Sequence, residues 1–247
     1  IMAMAALTLI GARDPILVPD ISQRKVEIVY SFTGTELLLF GAILWPGGRV
    51  PTDRADIAVV VKGPPESVLL REKRRVIGIW VNADSTDFRS VPGYYAVAAS
   101  RPLSKLIDER TAAIYELGVG NVQLSPVGTE APDVQARFEK GLVALRQKDH
   151  LFAETDGTVQ ITDGVLYQAR IPIPARVPEG QFTAETFLIK DGRVLAAATK
   201  DIDIRKSGFE RLIADWAVES PISYGIIAIS ISALLGWGAG ALFRRNG

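Results

Sequence analysis

The chain has no cysteine and one histidine, His150. Without thiols it can form no disulfide, no iron–sulfur cluster, no thiolate zinc site and no cysteine nucleophile. A single imidazole also excludes multi-histidine metal sites and bis-histidine haem. Net charge is missing too, because 28 basic and 28 acidic residues cancel. That balance gives no electrostatic reason to bind nucleic acid.

One stretch lacks charge altogether. Residues 221–243 read Pro-Ile-Ser-Tyr-Gly-Ile-Ile-Ala-Ile-Ser-Ile-Ser-Ala-Leu-Leu-Gly-Trp-Gly-Ala-Gly-Ala-Leu-Phe, and Arg244 and Arg245 follow. At about 1.5 Å of rise per residue, such a helix crosses a hydrocarbon core of about 30 Å. The reading is a C-terminal transmembrane helix with a short cytoplasmic tail, residues 220–247. It tethers a large water-soluble head. Within it Ala228, Ser232, Gly236 and Gly240 recur at every fourth position and align on one helix face. The step from Gly236 to Gly240 is a GxxxG pattern, which lets a second helix approach closely. These four residues form the expected helix-packing interface with an integral membrane partner.

The other end is apolar but short. Ile1-Met-Ala-Met-Ala-Ala-Leu-Thr-Leu-Ile10 is too brief to span a bilayer and suits the apolar core of a signal peptide. Ala3-Met-Ala5 offers small residues for cleavage. Residues 1–15 are read as a signal or anchor remnant. Export would place the head in the periplasm, with the C-terminus in the cytoplasm of a single-pass inner-membrane protein. Arg244 and Arg245 agree with the positive-inside tendency, although Arg205, Lys206 and Arg211 lie on the other side.

Between these ends the pattern is mainly β. Val26, Ile28 and Tyr30 alternate with Lys25, Glu27 and Val29 as in a half-buried strand. Residues 36–44 are apolar on both faces and predict an inner strand, closed by Pro46-Gly-Gly48. Further strands are expected at 57–61, 67–71, 76–81 and 94–98. The basic run Arg71-Glu-Lys-Arg-Arg75 is read as a solvated hairpin turn, with a lipid-headgroup contact as the lesser alternative. From Pro102 the period becomes helical. Leu103, Leu106, Ile107, Ile114 and Leu117 share a face, and Gly118 offers a stop. A second helix carries Val134, Phe138, Leu142 and Leu145. Strands return after Leu151, separated by Asp156-Gly157, Asp163-Gly164 and Asp191-Gly192 turns. Val91-Pro-Gly-Tyr-Tyr-Ala96 echoes Val177-Pro-Glu-Gly-Gln-Phe-Thr-Ala184. The expected layout is two immunoglobulin-like β-sandwich units, residues 16–100 and 151–205, flanking a helical insert at 101–150.

Ser207-Gly-Phe-Glu210 fits a capping box opening an amphipathic helix, residues 206–219, that lies at the membrane surface. Phe209, Trp216, Tyr224, Arg244 and Arg245 are the expected membrane-interface anchors.

Catalytic and metal patterns are weak throughout. His150 has no serine–acid arrangement around it and no nucleophile elbow is present. Asp201-x-Asp203 and Asn82-x-Asp84-x-Thr86-Asp87 lack the glycine and terminal glutamate of a calcium loop. Gly118-Val-Gly120 lacks the rest of a nucleotide fingerprint. Glu36, at the head of an apolar strand, would need a partner if buried. The expectation is a non-enzyme without cofactor or metal.

Ser31-Phe-Thr-Gly-Thr-Glu-Leu-Leu-Leu-Phe-Gly41 resembles the signature of the alpha-proteobacterial putative transmembrane protein family. Val18-Pro-Asp-Ile-Ser22, Pro92-Gly-Tyr-Tyr95, Gly180-Gln-Phe-Thr-Ala184 and the final span extend the likeness along most of the chain. The resemblance implies an exported protein with a C-terminal anchor and no catalytic residues. It also implies an accessory role to a sulfite-exporter-type transporter. Two other readings stand beside this one. One is a scaffold subunit of a respiratory or photosynthetic complex, and the other a periplasmic binding or assembly module. A hydrolase ranks last.

Overall fold

Residues 56–62 read Asp-Ile-Ala-Val-Val-Val-Lys and residues 94–99 read Tyr-Tyr-Ala-Val-Ala-Ala. Neither alternates polar with apolar, so each must be covered on both faces. The computed structural model, which describes residues 14–22, 25–29, 34–128, 131–207, 213 and 216–245, does this. Strands β4 (Asp56–Lys62) and β7 (Tyr95–Ala99) pair antiparallel in the middle of a six-stranded sheet and are buried almost throughout.

The remaining strands are β1 (Ile16–Ile21), β2 (Lys25–Val29), β3 (Thr35–Leu44), β5 (Pro65–Val76), β6 (Ile79–Pro92), β8 (Pro126–Val127), β9 (Phe152–Asp156), β10 (Val159–Thr162), β11 (Leu166–Ile173), β12 (Gly180–Lys190) and β13 (Arg193–Ser207). The helices are α1 (Leu103–Leu106), α2 (Glu109–Ile114), α3 (Pro132–Lys148) and α4 (Pro221–Arg245). The large sheet has the order β2-β13-β12-β4-β7-β9. A four-stranded sheet has the order β1-β3-β11-β10, and a third sheet the order β5-β6-β8.

The fold is mainly β, as expected, but its strands are shared differently. The four-stranded sheet takes β1 and β3 from the first half of the head and β10 and β11 from the second. The six-stranded sheet likewise mixes β4 and β7 with β9, β12 and β13. Residues 1–205 therefore form one compact unit, and residues 206–247 a second. The expected pair of separate sandwiches is replaced by one interleaved structure. Its strand order, with a parallel β7–β9 pair, does not reproduce the all-antiparallel sheets of an immunoglobulin domain. Each half alone would leave β4–β7 or β12 uncovered, which explains the exchange.

Two adjacent tyrosines show how the layers join. Successive strand side chains point to opposite faces. Tyr94 points toward the four-stranded sheet, where its hydroxyl donates to the Pro172 carbonyl at 2.5 Å. Tyr95 points the other way, toward the segment after α2. Its hydroxyl donates to the Glu116 carbonyl and accepts from the Gly118 amide at 3.1 Å. Burial pushes both phenols well above their ordinary range, so both are protonated donors at any physiological pH. Phe182 packs beside Tyr94 and Phe152 beside Tyr95, with centroids 6.0 and 5.8 Å apart. On the helical side Tyr115 meets Phe187 edge-on at 5.5 Å.

The expected helix from 103 to 117 is broken. Ile107 is extended and bridges Gly192, and Asp108 then recaps the chain by accepting from the Thr111 amide at 2.9 Å. Helix α3 forms as its periodicity predicts and buries Phe138 and Leu142. The basic run is not a turn. It continues β5, and the hairpin reverses at Ile77-Gly78. Glu36 is exposed, within 3.9 Å of Arg170, so it needs no buried partner.

The start of β4 is locked electrostatically. Ser100 donates to the Asp56 carboxylate at 2.7 Å, and Arg101 grips both of its oxygens, Nε at 3.0 Å. Burial alone would favour the neutral acid. The hydrogen bonds from Arg101 and Ser100 outweigh it and hold the carboxyl below its ordinary value of 3.8. The unfolded chain therefore takes up this proton first as pH falls. Asp56 contributes full stability above about pH 3.8 and loses it as pH drops through the lower folded value. Urea unfolding in mild detergent is expected to show Asp56→Asn about 2 kcal/mol less stable near neutrality. Its stability loss between pH 5 and 3 is expected to be shallower than the parent's; equal slopes would contradict the lock.

Gly41 of β3 gives a second check. A β-carbon there would lie 2.5 Å from both the Tyr167 hydroxyl and the Val18 carbonyl. Gly41→Ala is expected to cost about 1–3 kcal/mol in the same denaturation assay. An unchanged midpoint would mean that β1 and β11 yield easily.

Candidate functional site

Helix α4 begins at Pro221, a residue pre-set for a first helical turn, and runs to Arg245. Bulky apolar side chains lie around most of its circumference. Ile222, Ile226, Ile229, Ile231, Leu234, Leu235 and Trp237 are all exposed. A helix that is apolar nearly all round belongs in a protein core or in lipid. Its serines are already satisfied. Ser223 donates to the Ser220 carbonyl at 2.9 Å, Ser230 to Ile226 at 2.8 Å and Ser232 to Ala228 at 2.8 Å. These local bonds make the hydroxyls cheap to bury away from water.

The remaining face is made of small residues. Ala228, Ser232 and Gly236 lie on it, and Gly225, not singled out from sequence, extends it by one turn. A β-carbon on Gly225 or Gly236 would meet nothing within 4 Å. The seam is therefore open along this stretch. Gly240, Arg244 and Arg245 continue the helical backbone at its far end. Among the described residues no helix is both long and apolar enough to cross a membrane; the side chains of α4 are described only as far as Trp237.

Two of the expected interface anchors come together. The rings of Trp216 and Tyr224 meet edge-on with centroids 6.1 Å apart. The Trp216 indole donates to Ser223 at 3.1 Å, and Tyr224 opens its helical turn by donating its amide to the Ser220 carbonyl. An amphipathic aromatic pair thus sits at the first turn of the apolar helix, where a headgroup layer would favour it. Phe209 and the Ser207–Glu210 capping box extend outside the described residues.

The head carries a second uncovered surface. Strand β3 is flanked by β1 and β11, and its inward residues Leu37, Leu39 and Ile43 are buried. Its outward residues remain apolar. Leu44 pairs with Ile16, and Ala42 lies between Val18 and Leu166, while Phe40 stands between Asp20 and Gln168. Ile16, Val18, Phe40, Leu44 and Leu166 are all exposed. The apolar run read as an inner strand is inner in the sheet but covered on one face only.

A cleft of about 370 Å³ lies beside the Asp56 lock, lined by Trp45, Asp53, Arg54, Ser100 and Asp163 among others. The Ser100 hydroxyl is engaged there as donor to Asp56 and as acceptor from the Ile57 amide. His150 lies elsewhere, exposed at the end of α3 in a left-handed conformation, its amide bonded to the Gln147 carbonyl. Lys62 bridges Glu116 at 2.9 Å and Glu185 at 3.1 Å. Burial opposes its charge, yet the two carboxylates prevail and raise the ammonium above its ordinary value. That trio ties the turn after α2 to the large sheet. Among the described residues no group of three or more histidines and carboxylates could hold a metal ion.

No curated protein matches the chain, and no solved structure does. One family does match, over residues 16–245, covering the head, the aromatic pair and all of α4. The chain belongs to the family described as "Putative transmembrane protein (Alph_Pro_TM)".

Proposed function

We propose that the protein is a non-enzymatic accessory subunit of an integral membrane complex. Helix α4 crosses the bacterial inner membrane once, from Pro221 to Phe243. The head lies in the periplasm, and the C-terminus is cytoplasmic. One observation carries this reading: a helix with exposed isoleucines and leucines around most of its surface, internally satisfied serines, and one open face of small residues. Lipid accepts the bulky faces and a partner helix accepts the small one. Membership of a family described as transmembrane supports the anchor. The uncovered sheet face around Phe40 and Leu166 gives the head a surface of its own for the same complex. A transporter of the sulfite-exporter type is the partner that the family resemblance favours.

Purification of the native protein in mild detergent tests this. A polytopic membrane protein is expected to co-purify. Gly236→Leu fills the open seam and is expected to weaken the association by about 1–2 kcal/mol, roughly tenfold in retained partner. Membrane fractions washed with carbonate should keep the variant as fully as the parent. A protein that is released by carbonate, or that purifies alone and binds a small anion through its head, would contradict the subunit reading.

A further inference from the structure

Strands β5 and β6 form a long two-stranded ribbon whose two halves are supported differently. Near the body β8 pairs with Asp87 and Phe88. Helix α3 braces the same region, with Arg146 paired to Glu66 and Arg137 lying 3.0 Å from Glu72. The groove between ribbon and helix is lined by Leu70, Glu72, Phe138, Gly141 and Leu145. Past the Glu72–Asp84 row this bracing stops.

The distal half has an unusual composition. Residues 73–83 contain Lys73, Arg74 and Arg75 and no acid. The other residues are Val76, Ile77, Gly78, Ile79, Trp80, Val81, Asn82 and Ala83. Arg75 pairs across the ribbon with Trp80, and Val76 with Ile79, so apolar groups occupy both faces. Ile77 is 97% exposed, Ile79 69% and Trp80 66%. A two-stranded ribbon with both faces in water is marginal by itself.

The turn supplies an independent observation. Ile77 has φ of 49° and Gly78 has φ of 85°. Two successive positive φ values suit asparagine followed by glycine, and a β-branched residue at the first position is strained. The chain thus holds an isoleucine where turn chemistry disfavours it and where no side chain covers it. Strain of this kind points to a requirement other than stability.

We propose that the tip of this hairpin, residues 76–80, inserts into the interface of an anionic lipid bilayer, with Lys73 and Arg75 at the headgroups, while Arg74 pairs with Asp84 at 2.6 Å. A groove on a protein would cover one face of the ribbon, whereas an interface surrounds both. The tryptophan suits the boundary between headgroups and chains, and Lys73 and Arg75 complement acidic lipid. The inference concerns the head and goes beyond the anchor; it would hold even if α4 did not cross.

The absence of cysteine makes the test direct. Ile79→Cys, Leu234→Cys and Asp201→Cys each give the full chain one thiol for an environment-sensitive fluorophore. Each labelled protein is reconstituted in phosphatidylcholine vesicles with or without phosphatidylglycerol, and quenching by chain-labelled lipid is read. In acidic vesicles position 79 is expected to be quenched and position 201 not. In neutral vesicles, or with Lys73→Gln and Arg75→Gln, insertion should fall about fivefold for each charge made ineffective. Adding Ile77→Asn and Trp80→Thr should reduce insertion about tenfold or more. Asparagine suits the turn, so the urea midpoint of that variant should not fall. Quenching at 234 without quenching at 79 overturns the hairpin proposal and leaves the anchor intact. Quenching at 79 without quenching at 234 does the reverse. Undiminished quenching at 79 in the Ile77→Asn, Trp80→Thr variant also overturns the proposal.

Discussion

Apolar surface must be covered, and this chain meets that requirement in two ways. In the head the chain covers itself. Strands β4 and β7 are buried on both faces, by the four-stranded sheet on one side and the segment around α1 and α2 on the other. Tyr94 and Tyr95, neighbours in sequence, hydrogen-bond into opposite layers. In α4, along the outer face of β3 and at the β5–β6 tip, large apolar side chains stay exposed. The first arrangement makes a self-sufficient globule. The second leaves surfaces whose natural solvents are lipid and protein.

The division of labour follows from these surfaces. The polar groups with perturbed protonation serve the head's architecture: Asp56 is gripped by Arg101 and Ser100, and Lys62 is held between Glu116 and Glu185. Both clusters join segments distant in sequence and stay charged near neutral pH. The uncovered surfaces of α4, β3 and the β5–β6 tip differ from these clusters in exposing large apolar side chains.

Much of this was legible in the sequence, because it depended on local period and turn chemistry. The charge-free C-terminal run forms helix α4, the Asp-Gly turns fall at 163–164 and 191–192, and α3 follows its apolar spacing. Long-range pairing was less legible. Nothing in residues 35–44 says that β3 will lie beside β11, more than a hundred residues away, so two units were expected where one interleaved unit forms. The hairpin turn was misplaced for a local reason. Arg71-Glu-Lys-Arg-Arg75 is polar and resembles a loop, while the true reversal at Ile77-Gly78 uses an isoleucine that turn rules disfavour. The outward face of β3 was hidden by its uniform apolarity, which reads the same for a strand covered on two faces as for one covered on one.

The central proposal is that a periplasmic head and a lipid-solvated helix are two parts of one single-pass protein. Thiol accessibility in intact cells tests it most directly. With Thr158→Cys in the head and Asn246→Cys after the helix, a membrane-impermeant maleimide should label position 158 in spheroplasts. It should reach position 246 only after lysis. Labelling of both positions from outside, or of neither until lysis, would contradict the account.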